Sequence, residues 1–299
     1  DIIRLVNYTE VKSMEKNKLN ILNKIFSRNT FRNCFYNGYD KTYSQVIRRY
    51  VDNGTGKQNS ELISEIYNVL KESYRNEYYY KNTLLNKLLL GVHSVNTTTA
   101  LTEIPIAKSK ADFVLINGKA VVYEIKTELD NFDRLENQIN DYYKAFDHVA
   151  VVTCKENFQA LKKKIEMIGK PVGIYILQKR GTITTIQKPQ KYSLELDAKV
   201  LFKILRKQEY EEILLSRYKY LPEVSEFKYY SECRKMFLEI PLEDAYLSVL
   251  RLLKKRSHII KEEFSKIPYE LKFLTYFMEL KSDDYKKIMK FLNESYGGV

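Results

Sequence analysis

At 299 residues the chain is long enough for one large core or two smaller ones, and 44% hydrophobic with 29% charged residues excludes a disordered or collagen-like chain. Fifty Lys and Arg against 38 Asp and Glu give a formal charge of +12, which favours a polyanionic partner such as nucleic acid over a cationic one. Three dispersed cysteines, Cys34, Cys154 and Cys233, exclude a disulfide framework or zinc cluster, and without an apolar run of about 18 residues or a signal segment the sequence predicts a cytoplasmic protein with no membrane partner.

In chain order, residues 1–57 predict a partly helical N-terminal extension ending in the turn-rich Asp52-Asn53-Gly54-Thr55-Gly56. Residues 58–192 form the expected core. A helix opens near Ser60 with Leu62, Ile63, Ile66, Val69 and Leu70 at helical spacing, and a second carries Leu84, Leu85, Leu88 and Leu89 and is expected to stop at Gly91. From about Leu101 the apolar period becomes two. One strand runs through Ile106, a second from Ala111 to Ile116, and a third from Ala120 to Ile125, with Asn117-Gly118 as a two-residue turn between the last two. A helix from about Asn131 to Phe146, the strand Val149 to Val152, a basic helix to about Ile168 and the strand Val172 to Leu177 follow. Helices alternating with internal strands predict an α/β sandwich on a central mixed sheet. Residues 193–299 read as an all-helical C-terminal region with Pro222, Pro241, Pro268 and Ser282 near helix starts, no DNA-reading motif, and a possible role in holding a protein partner.

The chemistry concentrates in the third strand. Residues two apart share a face, so Glu124 and Lys126 project together. Asp112 on the neighbouring strand and the backbone carbonyl of Ile125 complete a set of hard oxygen donors suited to Mg²⁺ or Mn²⁺. A two-residue turn would pair Asp112 with Tyr123 and put Asp112 and Glu124 on opposite faces, so the reading requires a bulge, a longer loop or an irregular Asp112. Gln138 and Tyr142, four apart, share a helix face with Leu135 and Ala145. A glutamine in such a stripe needs a partner, because burying it unpaired costs about 1–3 kcal/mol.

Asp112, Tyr123-Glu124-Ile125-Lys126 and the Gln138-x-x-x-Tyr142 spacing, in this order, resemble the PD-(D/E)XK phosphodiesterase superfamily and its RecB-like branch, including small uncharacterised bacterial and phage-borne members. Ala111-Asp112 stands where the family's name has Pro-Asp. The resemblance spans residues 60 to 180 and implies a restriction-endonuclease-like fold and a metal-dependent nuclease, with DNA endonuclease as the expected activity. By resemblance Asp112 and Glu124 hold the metal, Lys126 orients the attacking water or steadies the developing charge, and Gln138 ties the helix to the site, with Tyr142 counted among the catalytic residues. Glu103 is the candidate for a further upstream acid, with Glu72 and Glu77 as rivals. Arg134, Lys108 and Lys110 are candidate nucleic-acid contacts. The alternative is a catalytically silent nucleic-acid-binding or regulatory protein on the same fold.

Blander readings hold elsewhere. Lys162-Lys163-Lys164 reads as a solvated helix face, and His93, His148 and His258 lack metal-ligand spacing. The paired tyrosines of a chain holding 25 of them read as packing before base stacking.

Overall fold

A computed structural model describes residues 21–73, 75–92, 97–257 and 259–297. Residues 1–20 of the expected N-terminal extension, and His93 and His258, lie outside them. Helices α1 (Arg28–Asn37), α2 (Lys41–Tyr50), α3 (Asn59–Ser73) and α4 (Glu77–Leu84) precede strands β1 (Thr99–Ile106), β2 (Ser109–Asn117) and β3 (Lys119–Ile125). Helix α5 (Leu135–Tyr143), β4 (Val149–Thr153), α6 (Phe158–Ile168), β5 (Gly173–Leu177) and β6 (Ile183–Gln187) complete the mixed part. The rest is helical: α7 (Ala198–Lys203), α8 (Lys207–Tyr218), α9 (Glu226–Leu238), α10 (Leu242–Lys254), α11 (Lys261–Lys266), α12 (Lys272–Tyr276) and α13 (Ser282–Asn293).

The six strands form one sheet in the order β1-β2-β3-β4-β5-β6, antiparallel except for the parallel pairs β3–β4 and β4–β5. Each parallel pair needs a crossover, and α5 and α6 supply them. Alternation sends Val114 and Ile116 of β2, Val122 of β3, Val151 of β4 and Ile174 of β5 into one core, where they meet Leu135, Ile139 and Tyr142 of α5 and Leu161 of α6. Phe113, Tyr123 and Tyr175 form a ring cluster with centroids 6.1 and 5.6 Å apart. Gly173 is required because a Cβ there would lie 2.8 Å from the backbone nitrogen of Pro189.

Several elements differ from the sequence reading. The β2–β3 turn is tighter than Asn117-Gly118 implies: Asn117 pairs with Lys119, leaving Gly118 alone at the tip with φ 70°. Helix α5 starts at Leu135 rather than near Asn131. Asp130 accepts hydrogen bonds from the amide and hydroxyl of Thr127, and Asn131 accepts one from the amide of Asp133, local bonds that compete with helical ones. The helix expected to stop at Gly91 changes after α4 into a π-helix, Leu85–Val92, that carries Gly91 within it. Strand β6, absent from the sequence reading, is an exposed edge strand behind Gly181 with φ 78°.

The described residues group into two compact units that cut across the expected segments. One holds residues 87–257, because α7 to α10 share the core with the sheet: Leu201, Phe202, Ile213, Leu214, Phe237, Val249 and Leu253 belong to the same apolar cluster as Val122 and Val151. The other takes residues from 1–86 and 258–299. Within it, Asn59 donates to the carbonyls of Phe291 (2.9 Å) and Glu294 (3.0 Å) and accepts from the Tyr43 hydroxyl, fastening α13 to α3. None of the described helices is long and apolar enough to cross a membrane.

Candidate active site

The tight Gly118 turn decides the site's register. From Asn117↔Lys119 to Phe113↔Tyr123 each β2–β3 pair steps one residue back on β2 and one forward on β3, so Asp112 comes opposite Glu124 and both point to the α5 side, as Val114 and Val122 do. The bulge or longer loop expected between these strands is not needed, because the premise of a two-residue turn was what put the two acids on opposite faces.

Regular pairing is interrupted at this row between β1 and β2 and ends before it between β2 and β3. On β1 the partners on either side, Thr102↔Phe113 and Ile104↔Ala111, leave Glu103 facing Asp112 with φ 57°, a left-handed conformation uncommon for a side chain of its size. The Asp112 carbonyl accepts from the Thr102 hydroxyl at 2.7 Å, and its carboxylate Oδ2 accepts the Ile125 amide at 2.8 Å. Carboxylate oxygens of Glu103 and Asp112 come within 4.8 Å of one another. Since the N–H and C=O of one strand residue point the same way, the Ile125 carbonyl also faces the Asp112 side. Strand register thus places Glu103, Asp112 and Glu124 in one row across three adjacent strands, with the oxygens of Glu103 and Asp112 close together and the Ile125 carbonyl on the Asp112 side. Glu72 and Glu77, the rivals for the upstream acid, belong to the other unit.

Glu124 is only 2% exposed, and a buried carboxylate survives only with partners. The Lys126 ammonium donates to its Oε1 at 2.8 Å and to Gln138 Oε1 at 2.9 Å, while the Gln138 amide donates to Glu124 Oε1. The Tyr142 hydroxyl donates to Glu124 Oε2 and lies 3.0 Å from the Lys110 carbonyl. Burial first, and then the Glu124 charge, push the Tyr142 hydroxyl far above its ordinary pKa, so it stays a donor. The partner that Gln138 required is therefore the carboxylate. A carboxylate has about four lone-pair sites and an ammonium three protons, so Glu124 keeps about one site and Lys126 one proton for other ligands.

The outer residues were not legible in the sequence. Thr153 on β4 donates to the Lys126 carbonyl at 2.7 Å, and Asn157 donates to the Thr127 carbonyl at 3.0 Å, fixing the chain just past Lys126. Asp141 accepts from the Lys108 amide, the Ser109 hydroxyl and Lys144, tying the β1–β2 turn to α5. Only a polar residue three positions along α5 from Gln138 hinted at it. Lys110 pairs with Glu103, whereas Lys108 and Arg134 stand exposed beside the site.

Fold and site together define an α/β protein with a six-stranded mixed sheet and, where β3 ends, a cluster of buried Glu124, Lys126 and Tyr142 with the half-buried Gln138. The chain belongs to the Bacteriophage P4 protein cII family, whose model matches residues 70–272. No curated protein shows significant sequence similarity to it. Among solved structures, a protein of unknown function from Silicibacter pomeroyi is similar at 15% identity, over 42% of this chain and 82% of that one, with a TM-score of 0.28.

Proposed function

We propose that this chain is a divalent-metal-dependent nuclease of the PD-(D/E)XK type that hydrolyses phosphodiester bonds, with DNA as substrate and endonucleolytic cutting as the reaction. The observation that carries the reading is that the strand register brings Asp112 opposite Glu124 while Lys126, two residues further along the chain, bonds Glu124, with Gln138 bridging Lys126 and Glu124 from α5. The donor set, carboxylates of Asp112 and Glu124 with the Ile125 carbonyl and Glu103 nearby, fits Mg²⁺ or Mn²⁺ in its hardness. Such an ion, when bound, neutralises charge on the scissile phosphate and lowers the pKa of water.

The chain's own residues do the rest. Tyr142 and Gln138 hold the Glu124 carboxylate in one orientation, so little reorganisation is needed when charge develops. Lys126, with one ammonium proton uncommitted, aims a positive charge at the attacking oxygen or the developing phosphorane charge. Asp112 is held by the Ile125 amide, which keeps its carboxylate opposite Glu124.

Cleavage of supercoiled, linear and single-stranded DNA with Mg²⁺ or Mn²⁺ tests the proposal. The wild type should cut, and Lys126→Ala and Asp112→Ala should each lose about 10²–10³-fold in rate, the size typical of removing one preorganised charge-stabilising group. No cutting by any form would sink the reading. A second reading, a catalytically silent nucleic-acid-binding or regulatory protein, draws on the fact that both Glu124 oxygens already have donors in a closed network. Nucleic-acid binding unaffected by divalent ions, with no cleavage, would favour it.

A further inference from the structure

Beside the site lies a concave groove of about 1160 Å³, walled by the β1–β2 turn, α5, α7 and α9. Seven Lys and Arg side chains line it against a single carboxylate, Asp141. That carboxylate is already committed to the Lys108 amide, Ser109 and Lys144. Lys108, Arg134, Lys199, Lys203 and Arg234 are exposed, and among the described residues none of them forms an ion pair.

Three helices contribute by the same geometry. Residues four apart share a helix face, and the groove receives Arg134, the cap at the start of α5, with Gln138 of α5, Lys199 with Lys203 from α7, and Tyr230 with Arg234 from α9. Like charges at this spacing weaken a short helix such as α7, so Lys199 and Lys203 are a cost to the isolated chain that an anionic ligand would relieve. Gln138 lines the groove and also donates to Glu124, so the groove borders the candidate active site through this one side chain. Tyr230, 48% exposed and tilted on Phe202 at 5.2 Å, turns part of a ring toward the same space.

We propose that α7 and α9, with the β1–β2 turn and α5, form a binding groove for the sugar–phosphate backbone of a nucleic acid, with Lys199, Lys203 and Arg234 as phosphate contacts and Tyr230 as a stacking surface for a base. The helical segment after the sheet is thus the nucleic-acid-holding part of the same unit. The groove's relation to a scissile bond rests on the nuclease reading; binding itself does not. A concave, charged surface does not fit a flat bilayer, and a row of spaced cations with an aromatic ring matches alternating phosphates and bases.

The test is fluorescence anisotropy of the full chain with labelled 20-base duplex and single-stranded DNA, in EDTA, over a range of salt. The wild type should bind at least one of the two, and Lys199→Ala/Arg234→Ala should bind about tenfold or more weakly near ~100 mM salt. Its salt slope should shrink by about two for duplex and somewhat less for single strands. Lys162→Ala/Lys163→Ala, on the exposed face of α6 away from the groove, should bind as the wild type does, and unchanged thermal melting should show that all three forms fold. Wild-type affinity in the groove variant, an equal loss in the α6 variant, or no binding of either DNA would overturn the proposal. Binding with this pattern but no cleavage under Mg²⁺ or Mn²⁺ would leave the groove and remove the nuclease; cleavage with groove-independent binding would do the reverse.

Discussion

Two neighbouring tyrosines on α5 show how far a single hydroxyl depends on where it points. Tyr142 and Tyr143 are both fully buried, yet Tyr142 donates to a buried carboxylate, while the Tyr143 hydroxyl has no hydrogen-bond partner among the described residues. A hydrogen bond to a charged group contributes about 1.5–3 kcal/mol, and a buried unsatisfied polar group costs about 1–3 kcal/mol. Tyr142→Phe should therefore lower stability by about 1.5–3 kcal/mol, and Tyr143→Phe should raise it or leave it unchanged. Urea unfolding of the two variants checks this: equal destabilisation by both would show that ring packing, and not the hydroxyls, governs the pair.

At the scale of elements, α10 is held to the sheet by a polar clamp as well as by its apolar face. The Tyr246 hydroxyl donates to Asp147 Oδ1 at 2.6 Å, and His148 Nδ1 lies 2.8 Å from the same oxygen, just before β4 begins. Burial pushes the Asp147 carboxyl up, but the bonds from His148 and Tyr246 and the His148 charge together outweigh it, leaving the group below the ordinary carboxylate value. A carboxyl depressed in the folded state contributes stability that is present above the unfolded value of about 3.9 and lost as pH falls through the folded one. Tyr246→Phe removes part of that depression. The stability gap between wild type and Tyr246→Phe, followed by urea unfolding, should be widest near neutral pH and narrow below about pH 4. A gap constant with pH would mean the clamp acts through packing alone.

The whole molecule carries its +12 charge while assembling acids at one place, and ligand linkage is where this becomes measurable. An ion bound only by the folded protein stabilises it by about 2.7 kcal/mol at a hundred times its Kd. For a unit the size of residues 87–257, which holds the sheet, that is a rise of about 5–10 °C in its melting. Mn²⁺ should produce such a rise in the wild type and little or none in Asp112→Asn. A melting curve indifferent to Mn²⁺ in the wild type would argue that Asp112 and Glu124 serve the fold and not a metal.

By itself the amino-acid sequence determined what depends on near neighbours. The period-two runs of β1 to β3, the helical spacing of Leu62 to Leu70, and the placing of Glu124 with Lys126 and of Gln138 with Tyr142 follow from backbone geometry within one element. It also determined that Gln138 must have a partner, because burial of an amide sets that requirement whatever the fold. Which partner it has was a matter of tertiary structure. So was the alignment of Asp112 with Glu124, since one residue more or less in a turn reverses every face, and only the strand pairing shows Gly118 alone at the tip. Strand β6 went unseen for the same reason: an exposed edge strand has little apolar alternation and is defined by the neighbour it pairs with. The union of α7 to α10 with the sheet joins residues as far apart in the chain as Thr99 and Lys254, 155 positions, and the gathering of Lys108, Arg134, Lys199 and Arg234 around one groove spans 126. Charge and spacing in the sequence do not encode such distances; the packing of one apolar core against another does.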